Sequence, residues 1–308
     1  MSVVEVRSTG ASVALNGHRL AVRVPERPPA YFHADDLDLL IAEVPAVHFT
    51  GAALGKLAES GITVLLCDGR HLPVGFVVPA ATGGVFDPRR ARRQASLPER
   101  TRDRLWKSII QCKILRQAEH LKRAGLAFDR LLQLAREVQP GDPENREATA
   151  ARIYWQRLYG RDFRRRGDDP RVSALNWGYA VLRAMVSRSL VASGLHPAIG
   201  LKHMAPNNPF NLADDLMEPF RPLVDAAVRT IEPEAGDPSL WKSALSEIGE
   251  RPVLLPEGVF RLRSAITRMA SSFAPVIDAG KGKILLPQAF PGEEDAGRLE
   301  SDVVDGPL

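Results

Sequence analysis

Apolar and polar residues alternate along the first ninety positions, and apolar residues recur at intervals of three and four along most of the remaining chain. Val3 to Arg7, Ser12 to Leu15 and Arg19 to Val24 have the period of half-buried strands, and Asn16-Gly17 between two of them signals a tight hairpin. Thr50 can cap a helix over Ala52 to Glu59, with Gly61 as its stop. Ile62 to Cys67 is a continuous apolar run, as in a strand buried on both faces, and Asp68-Gly69 turns the chain into Val74 to Val78. These elements predict a small β-rich domain with one helix, over residues 1–80.

Pro79 to Pro88 has no period and reads as a linker, set at residues 81–95. Beyond it the pattern is helical. Leu105, Ile109, Cys112, Leu115 and Ala118 form one stripe. Further helices are expected over Phe128–Val138, Glu144–Tyr159 after the Pro140-Gly141-Asp142-Pro143 break, Val172–Ser193 with Gly194 as cap, Leu212–Ile231 and Pro256–Met269. The expected fold class is α+β: the β-rich domain, then a larger all-α domain over residues 96–290. Residues 291–308 are acidic and glycine-rich, with six acids and one arginine between Glu293 and Asp305, and read as a disordered tail.

Composition removes several alternatives. Among 308 residues, 44% are hydrophobic and 25% charged, which is globular. No run is long and apolar enough for a membrane helix, and Met1 to Gly10 lacks the order of a secretory signal. Two cysteines, Cys67 and Cys112, cannot build a disulfide framework and read as buried thiols of a cytoplasmic protein. The net charge of +4 is modest, but its distribution is not. Arg89 to Arg123 holds twelve Lys or Arg against three acids, and a second cluster runs Arg152, Arg157, Arg161, Arg164, Arg165, Arg166. A lone charge run is usually a solvated helix face. Two arginine-dominated runs raise the case for nucleic acid, since guanidinium groups bind phosphate bidentately.

Nucleophile and nucleotide-cofactor motifs are absent: no GxSxG, no P-loop, no GxGxxG between a strand and a helix. The carboxylates say more. Glu147 heads a small-residue stretch, Ala148-Thr149-Ala150-Ala151, as a dipole partner or as a ligand. Asp215 and Glu218 are three apart, on one face of the expected helix. His203 ends a loop with two glycines and a proline, and reads as a surface histidine or a ligand. One imidazole with oxygens from separate elements is a donor set suited to Mg²⁺ or Mn²⁺.

Four stretches in order carry a resemblance: Glu147-Ala-Thr-Ala-Ala-Arg-Ile-Tyr-Trp155, Leu175-Asn-Trp-Gly-Tyr-Ala-Val-Leu-Arg183, Gly194-Leu-His-Pro-Ala-Ile-Gly-Leu-Lys-His203 and Asn211-Leu-Ala-Asp-Asp-Leu-Met-Glu-Pro-Phe-Arg-Pro222. Over about residues 1 to 290 the chain resembles the CRISPR-associated spacer integrases, the Cas1 family, in their type II branch and its compact C subtype. The resemblance implies an N-terminal β domain that mediates homodimerisation and a helical catalytic domain. It implies a complex in which two such dimers flank a dimer of the small partner Cas2, with the RNA-guided effector nuclease as a further partner. The implied reaction is metal-dependent: 3′-hydroxyls of a short double-stranded DNA fragment attack phosphodiesters in the repeat of a CRISPR array. The implied metal ligands and catalytic residues are Glu147, His203 and Glu218, with Asp215 matching a further acid that some members use. The DNA-binding candidates, read from charge, are Arg89, Arg90, Arg92, Arg93, Arg152, Arg164, Arg165 and Arg166. Two alternatives stay open: a metal-dependent nuclease of branched DNA, with water in place of the 3′-hydroxyl, and a DNA-binding scaffold whose acids only cap helices.

Overall fold

The protein is described from a computed structural model, over residues 2–69, 73–79, 88–231 and 238–291. The β-rich part contains strands β1 (Ser2–Val6), β2 (Ser12–Asn16), β3 (Arg19–Arg23), β4 (Ala30–His33), β5 (Leu37–Ala42) and β6 (His48–Phe49). Helix α1 (Gly51–Glu59) comes next, then β7 (Thr63–Cys67) and β8 (Pro73–Val77). Thr50 caps α1 as expected, its hydroxyl accepting from Ala53 N at 3.2 Å. The hairpin signal is right, with the turn one residue further on. Asn16 pairs with Arg19, so Gly17-His18 makes the bend, and Gly17 takes a φ of 61°.

These strands make two sheets rather than one small β unit. One has the order β4-β3-β2-β6, the other β1-β5-β7-β8. In the second sheet β1, β5 and β7 are parallel and β8 closes the edge antiparallel to β7. Its alternation decides the architecture. Leu40 and Val64 point into the core shared with the first sheet, whereas Leu39, Ile41, Leu65 and Cys67 point into the core of the helices. The second sheet is therefore a middle layer. The strand β7 reads as a nearly continuous apolar run because both of its faces are buried.

The helical part comprises α2 (Pro88–Ala95), α3 (Glu99–Arg123), α4 (Asp129–Glu137), α5 (Arg146–Tyr159) and α6 (Pro170–Ala192). It continues through α7 (Asn211–Met217), α8 (Arg221–Ile231) and α9 (Pro238–Ser246) to a hairpin of β9 (Pro252–Leu255) and β10 (Gly258–Arg261), and ends on α10 (Leu262–Ala279). The α+β class holds. Gly194, at a φ of 70°, follows α6 as its cap. The close approach of α6 and α8 needs Gly178, since a Cβ there would lie 2.5 Å from Val224 Cγ1.

Four expectations are corrected. The span 81–95 is not linker throughout: 88–95 is helix α2, and residues 80–87 lie outside the described residues, as does the tail beyond Pro291. Leu212–Ile231 is two helices joined by a 3-10 turn at Glu218–Phe220, where Pro219 has no N–H to continue the α ladder. The last helix does not begin at Pro256, because Val259 and Phe260 pair with β9 before α10 starts. Leu115 is exposed and does not belong to the buried stripe of α3.

Candidate metal centre

Two of the residues singled out above, Glu147 and Glu218, meet at Lys113 of α3, and the third, His203, stands against Trp106 about two turns earlier on the same helix. Glu147 lies in the first turn of α5, yet it does not cap that helix. Asp142 accepts from Arg146 N at 2.9 Å and from Glu147 N at 3.0 Å, and Asn145, left-handed at φ 51°, accepts from Ala148 N at 3.3 Å. With the amides satisfied by other residues, the Glu147 carboxylate is free to turn inward. It accepts a hydrogen bond of 2.7 Å from the Lys113 ammonium on α3.

Glu218 reaches the same ammonium from the 3-10 turn, its Oε2 lying 2.5 Å from Lys113 Nζ. Its other oxygen lies 2.9 Å from Arg221 Nε. Neither contact has hydrogen-bond alignment, so the buried Oε2 is paired by charge without a directional bond. Burial would push the Glu218 carboxyl up, but Arg221 and Lys113 outweigh it and hold it below the ordinary range. For Lys113, burial works against the charge and the two carboxylates restore it, leaving its pKa above the ordinary lysine value.

His203 is placed by Asp215. The buried Asp215 carboxylate accepts from Leu201 N at 2.6 Å, Lys202 N at 3.0 Å and His203 N at 3.2 Å, and its Oδ1 lies 2.7 Å from His203 Nδ1. This folding of the loop onto α7 requires Gly200, where a Cβ would lie 2.2 Å from His203 O and 3.0 Å from Asp215 Oδ2. The Asp215 bond raises the imidazole's pKa against the opposing effect of burial. The ring stands edge-on to Trp106, with centroids 5.8 Å apart. Trp106 and Lys113 are seven residues apart and so lie on one face of α3. His203 and Glu218 are near enough to shift each other's titration. Side-chain exposure rises from Glu218 (5%) and Lys113 (10%) to Glu147 (26%) and His203 (45%), so the site opens on the His203 side.

Two supports tie these pieces together. Lys202 Nζ donates to Gly141 O at 2.8 Å, joining the histidine loop to the turn that caps α5. Gln94 of α2 brackets the same loop, accepting from His196 N at 3.0 Å and donating to the carbonyls of His196 and Ile199, each at 2.8 Å. Neither support has a signal in local sequence.

Among the described residues, no three His, Cys, Asp or Glu side chains stand at metal-ligand spacing, and the Lys113 ammonium lies between the two glutamates. The donor set nonetheless fits a hard divalent cation. A positive charge already sits where two carboxylates meet, and His203 keeps Nε2 open while Nδ1 is held by a carboxylate, the usual outer-shell support of a ligating histidine. Asp215 is not placed as a ligand, since both its oxygens are committed to the histidine loop.

Two motif tyrosines, Tyr154 and Tyr179, join Asp225 and His120 in a hydrogen-bonded network beside the site. Asp225 accepts from Tyr154 at 3.0 Å and from Tyr179 at 2.5 Å, and His120 Nδ1 lies 2.6 Å from the Tyr154 hydroxyl. Burial pushes Asp225 up to about 6 and His120 down to about 4. Arg165 and Arg221 both lie over the Tyr179 ring, at 5.1 and 4.6 Å. Arg165, Tyr179, Arg183, Phe210 and Arg221, with Phe76 of β8, line a cleft of about 800 Å³ that reaches Glu218 through Arg221.

The arginines divide. Arg90 is not a free phosphate ligand: its Nε and a terminal nitrogen grip Asp278 of α10 at 2.7 to 3.2 Å, and its other terminal nitrogen donates to Ser193 O at 3.0 Å. Arg93 adds a 3.1 Å bond to Asp278. These two contacts dock α2 against α10. Arg89 is exposed and already has a partner. Arg92, Arg152, Arg164 and Arg166 are exposed, and Arg165 donates to Asn176 at 2.9 Å at the wall of the cleft.

Comparison with known proteins identifies the family. The family model for "CRISPR associated protein Cas1" matches residues 4–234. The "CRISPR-associated endonuclease Cas1" of Neisseria meningitidis serogroup C is 38% identical over 268 residues, covering 84% of this chain and 88% of that protein. A Cas1 protein from Thermotoga maritima has the same fold, with a TM-score of 0.77 at 16% identity over 95% of this chain and all of that one. So does a casposase bound to integration product, with a TM-score of 0.76 at 20% identity over 92% of each chain. The sequence match and the shared fold together establish that this chain belongs to the Cas1 family.

Proposed function

We propose that this chain is a metal-dependent DNA integrase of CRISPR adaptation that uses Glu147, His203 and Glu218 to hold Mg²⁺ or Mn²⁺. The observation that carries the reading is the meeting of two carboxylates from separate elements around one cationic position, beside a histidine oriented by Asp215. A bound divalent cation supplies charge stabilisation for the phosphoryl oxygens and the leaving oxygen. The chain supplies the rest. Arg221, fixed between Glu218 and the Tyr179 ring, presents a guanidinium beside the site for a phosphate. Arg92, Arg152, Arg164, Arg165 and Arg166 provide sequence-independent backbone contacts.

The 3′-hydroxyl of the incoming fragment forms the new phosphorus–oxygen bond as the bond to the old 3′-oxygen of the repeat breaks. The attacking hydroxyl loses its proton and the released 3′-oxygen gains one, and because the fragment's own 3′-hydroxyl is the nucleophile, no protein nucleophile is required. DNA, a second copy of the chain joined through the β-rich part, and Cas2 are the partners in this reading. The effector nuclease is a further one, and the type II branch, subtype C, is its source. The name borne by the Neisseria relative favours a second activity at the same site, DNA cleavage with water in place of the 3′-hydroxyl.

Joining of a labelled fragment to a supercoiled repeat plasmid in Mn²⁺ tests the reading. Glu147→Ala, His203→Ala and Glu218→Ala are each expected to abolish joining while leaving low-salt DNA binding intact. Joining by Glu147→Ala at the wild-type rate would refute the assignment and favour a DNA-binding scaffold.

A further inference from the structure

Lys113 is out of keeping with its helix. Around it α3 buries Leu105, Trp106, Ile109, Ile110, Ile114 and Ala118, a stripe that packs the helical core. An ammonium in such a stripe is costly unless it is paired. One carboxylate would suffice for a structural ion pair, but Lys113 has two, from α5 and from the turn before α8, at 2.7 and 2.5 Å.

The charges of this cluster balance as it stands. Glu147 and Glu218 offset Lys113 and Arg221. Nearby acids cannot absorb more positive charge, since Asp214 is committed to Arg183 at 2.7 Å and Asp215 to the histidine loop. A divalent cation entering between the glutamates would meet the ammonium within a few ångström, at a strong repulsion even under partial screening. The two cannot share the position.

We propose that Lys113 is the resident counter-cation of this site, seated between Glu147 and Glu218 until a divalent metal displaces it, so that metal loading is an exchange of cations. The inference rests on the metal-binding reading above. It explains how two glutamates, one of them buried, stay together in the metal-free protein, and it makes Lys113 a brake on metal affinity rather than a ligand support.

Uptake of Mn²⁺ by the full-length protein, followed by the electron paramagnetic resonance of free Mn²⁺, tests the exchange without reference to activity. Lys113→Met keeps the stem and removes the charge. It should bind Mn²⁺ tighter than wild type by on the order of tenfold, a part of the full repulsion because the wild-type stem can swing aside. Equal or weaker binding by Lys113→Met overturns the exchange and leaves the metal reading standing, whereas absence of Mn²⁺ uptake by both proteins overturns both. A second measurement uses wild type alone and so does not depend on the variant folding. Acylation of Lys113 by acetic anhydride, read by mass spectrometry, should be low without metal and rise severalfold in saturating Mn²⁺. Unchanged labelling overturns the proposal.

Discussion

Asp215 shows how one buried carboxylate can act through another residue. It holds three backbone amides and the Nδ1 of His203, leaving Nε2 as the ring's available donor atom. In Asp215→Asn the amide nitrogen would face Nδ1 and make it an acceptor, which shifts the proton to Nε2 and blocks ligation. We expect Mn²⁺ affinity to fall by about 10- to 100-fold, the usual effect of losing an outer-shell partner, in the same titration. Asp225 gives a prediction in pH. Burial raises its pKa from 3.8 to about 6, so the folded protein holds this proton more tightly than the unfolded chain. The stability it contributes is complete below 3.8 and lost as pH rises through about 6. A rise of that size corresponds to on the order of 3 kcal/mol. Asp225→Asn removes the titration, so wild type should lose stability relative to the variant between about pH 4 and 7 in urea melts. A difference that stays constant over that range would contradict the assignment.

At the level of elements, the break between α7 and α8 matters most. A continuous helix over 212–231 would satisfy the apolar pattern, but Pro219 forces a 3-10 turn, and that turn carries Glu218 to Lys113. Helix α2 is the other element whose role is positional. With four arginines it looks like a phosphate-binding strip, yet Arg90 grips Asp278 and Ser193 O, Arg93 adds one bond to Asp278, and Gln94 brackets the histidine loop. Arg90→Ala should therefore cost about 1 kcal/mol of stability, with coupling to Asp278→Ala in a double-mutant cycle. It should leave the salt dependence of DNA binding unchanged. Replacing Arg152 and Arg166, which are exposed, should lower the slope of log affinity against log salt by about one unit for each phosphate no longer neutralised. Filter-binding titrations over salt separate the two outcomes.

The whole molecule is three layers sharing one sheet. The two faces of β5 and β7 feed two cores, so the β-rich part and the helices are not independent units with a seam near residue 80. A buried ion pair fastens them. Glu43, just after β5, accepts from Lys242 of α9 at 3.0 Å, and the ammonium lies over the Trp177 ring at 4.9 Å. Glu43→Ala leaves that ammonium buried without its carboxylate, and should cost about 3 to 5 kcal/mol in urea unfolding. Combining Glu43→Gln with Lys242→Met should recover most of the loss, because no unpaired charge is then left inside. Failure to recover would mean that the pair sets the layer geometry through more than its charge.

Local order was legible in the chain because it depends on neighbours in sequence. The strands around the first hairpin, the cap of α1, the end of α6 and the ordered motifs carrying Glu147, His203 and Glu218 all follow from period, turn chemistry and resemblance. What those motifs do to one another was not legible. Lys113 lies 34 residues from Glu147 and is one basic residue among many on α3. Only the packing of α3 against α5 and the turn before α8 turns it from a surface charge into the partner of both glutamates. The same holds for Arg90, Arg93 and Gln94, whose partners are about a hundred or more residues away. A charge pattern has the same period whether it faces water, DNA or a buried carboxylate, so tertiary contacts alone decide which it meets.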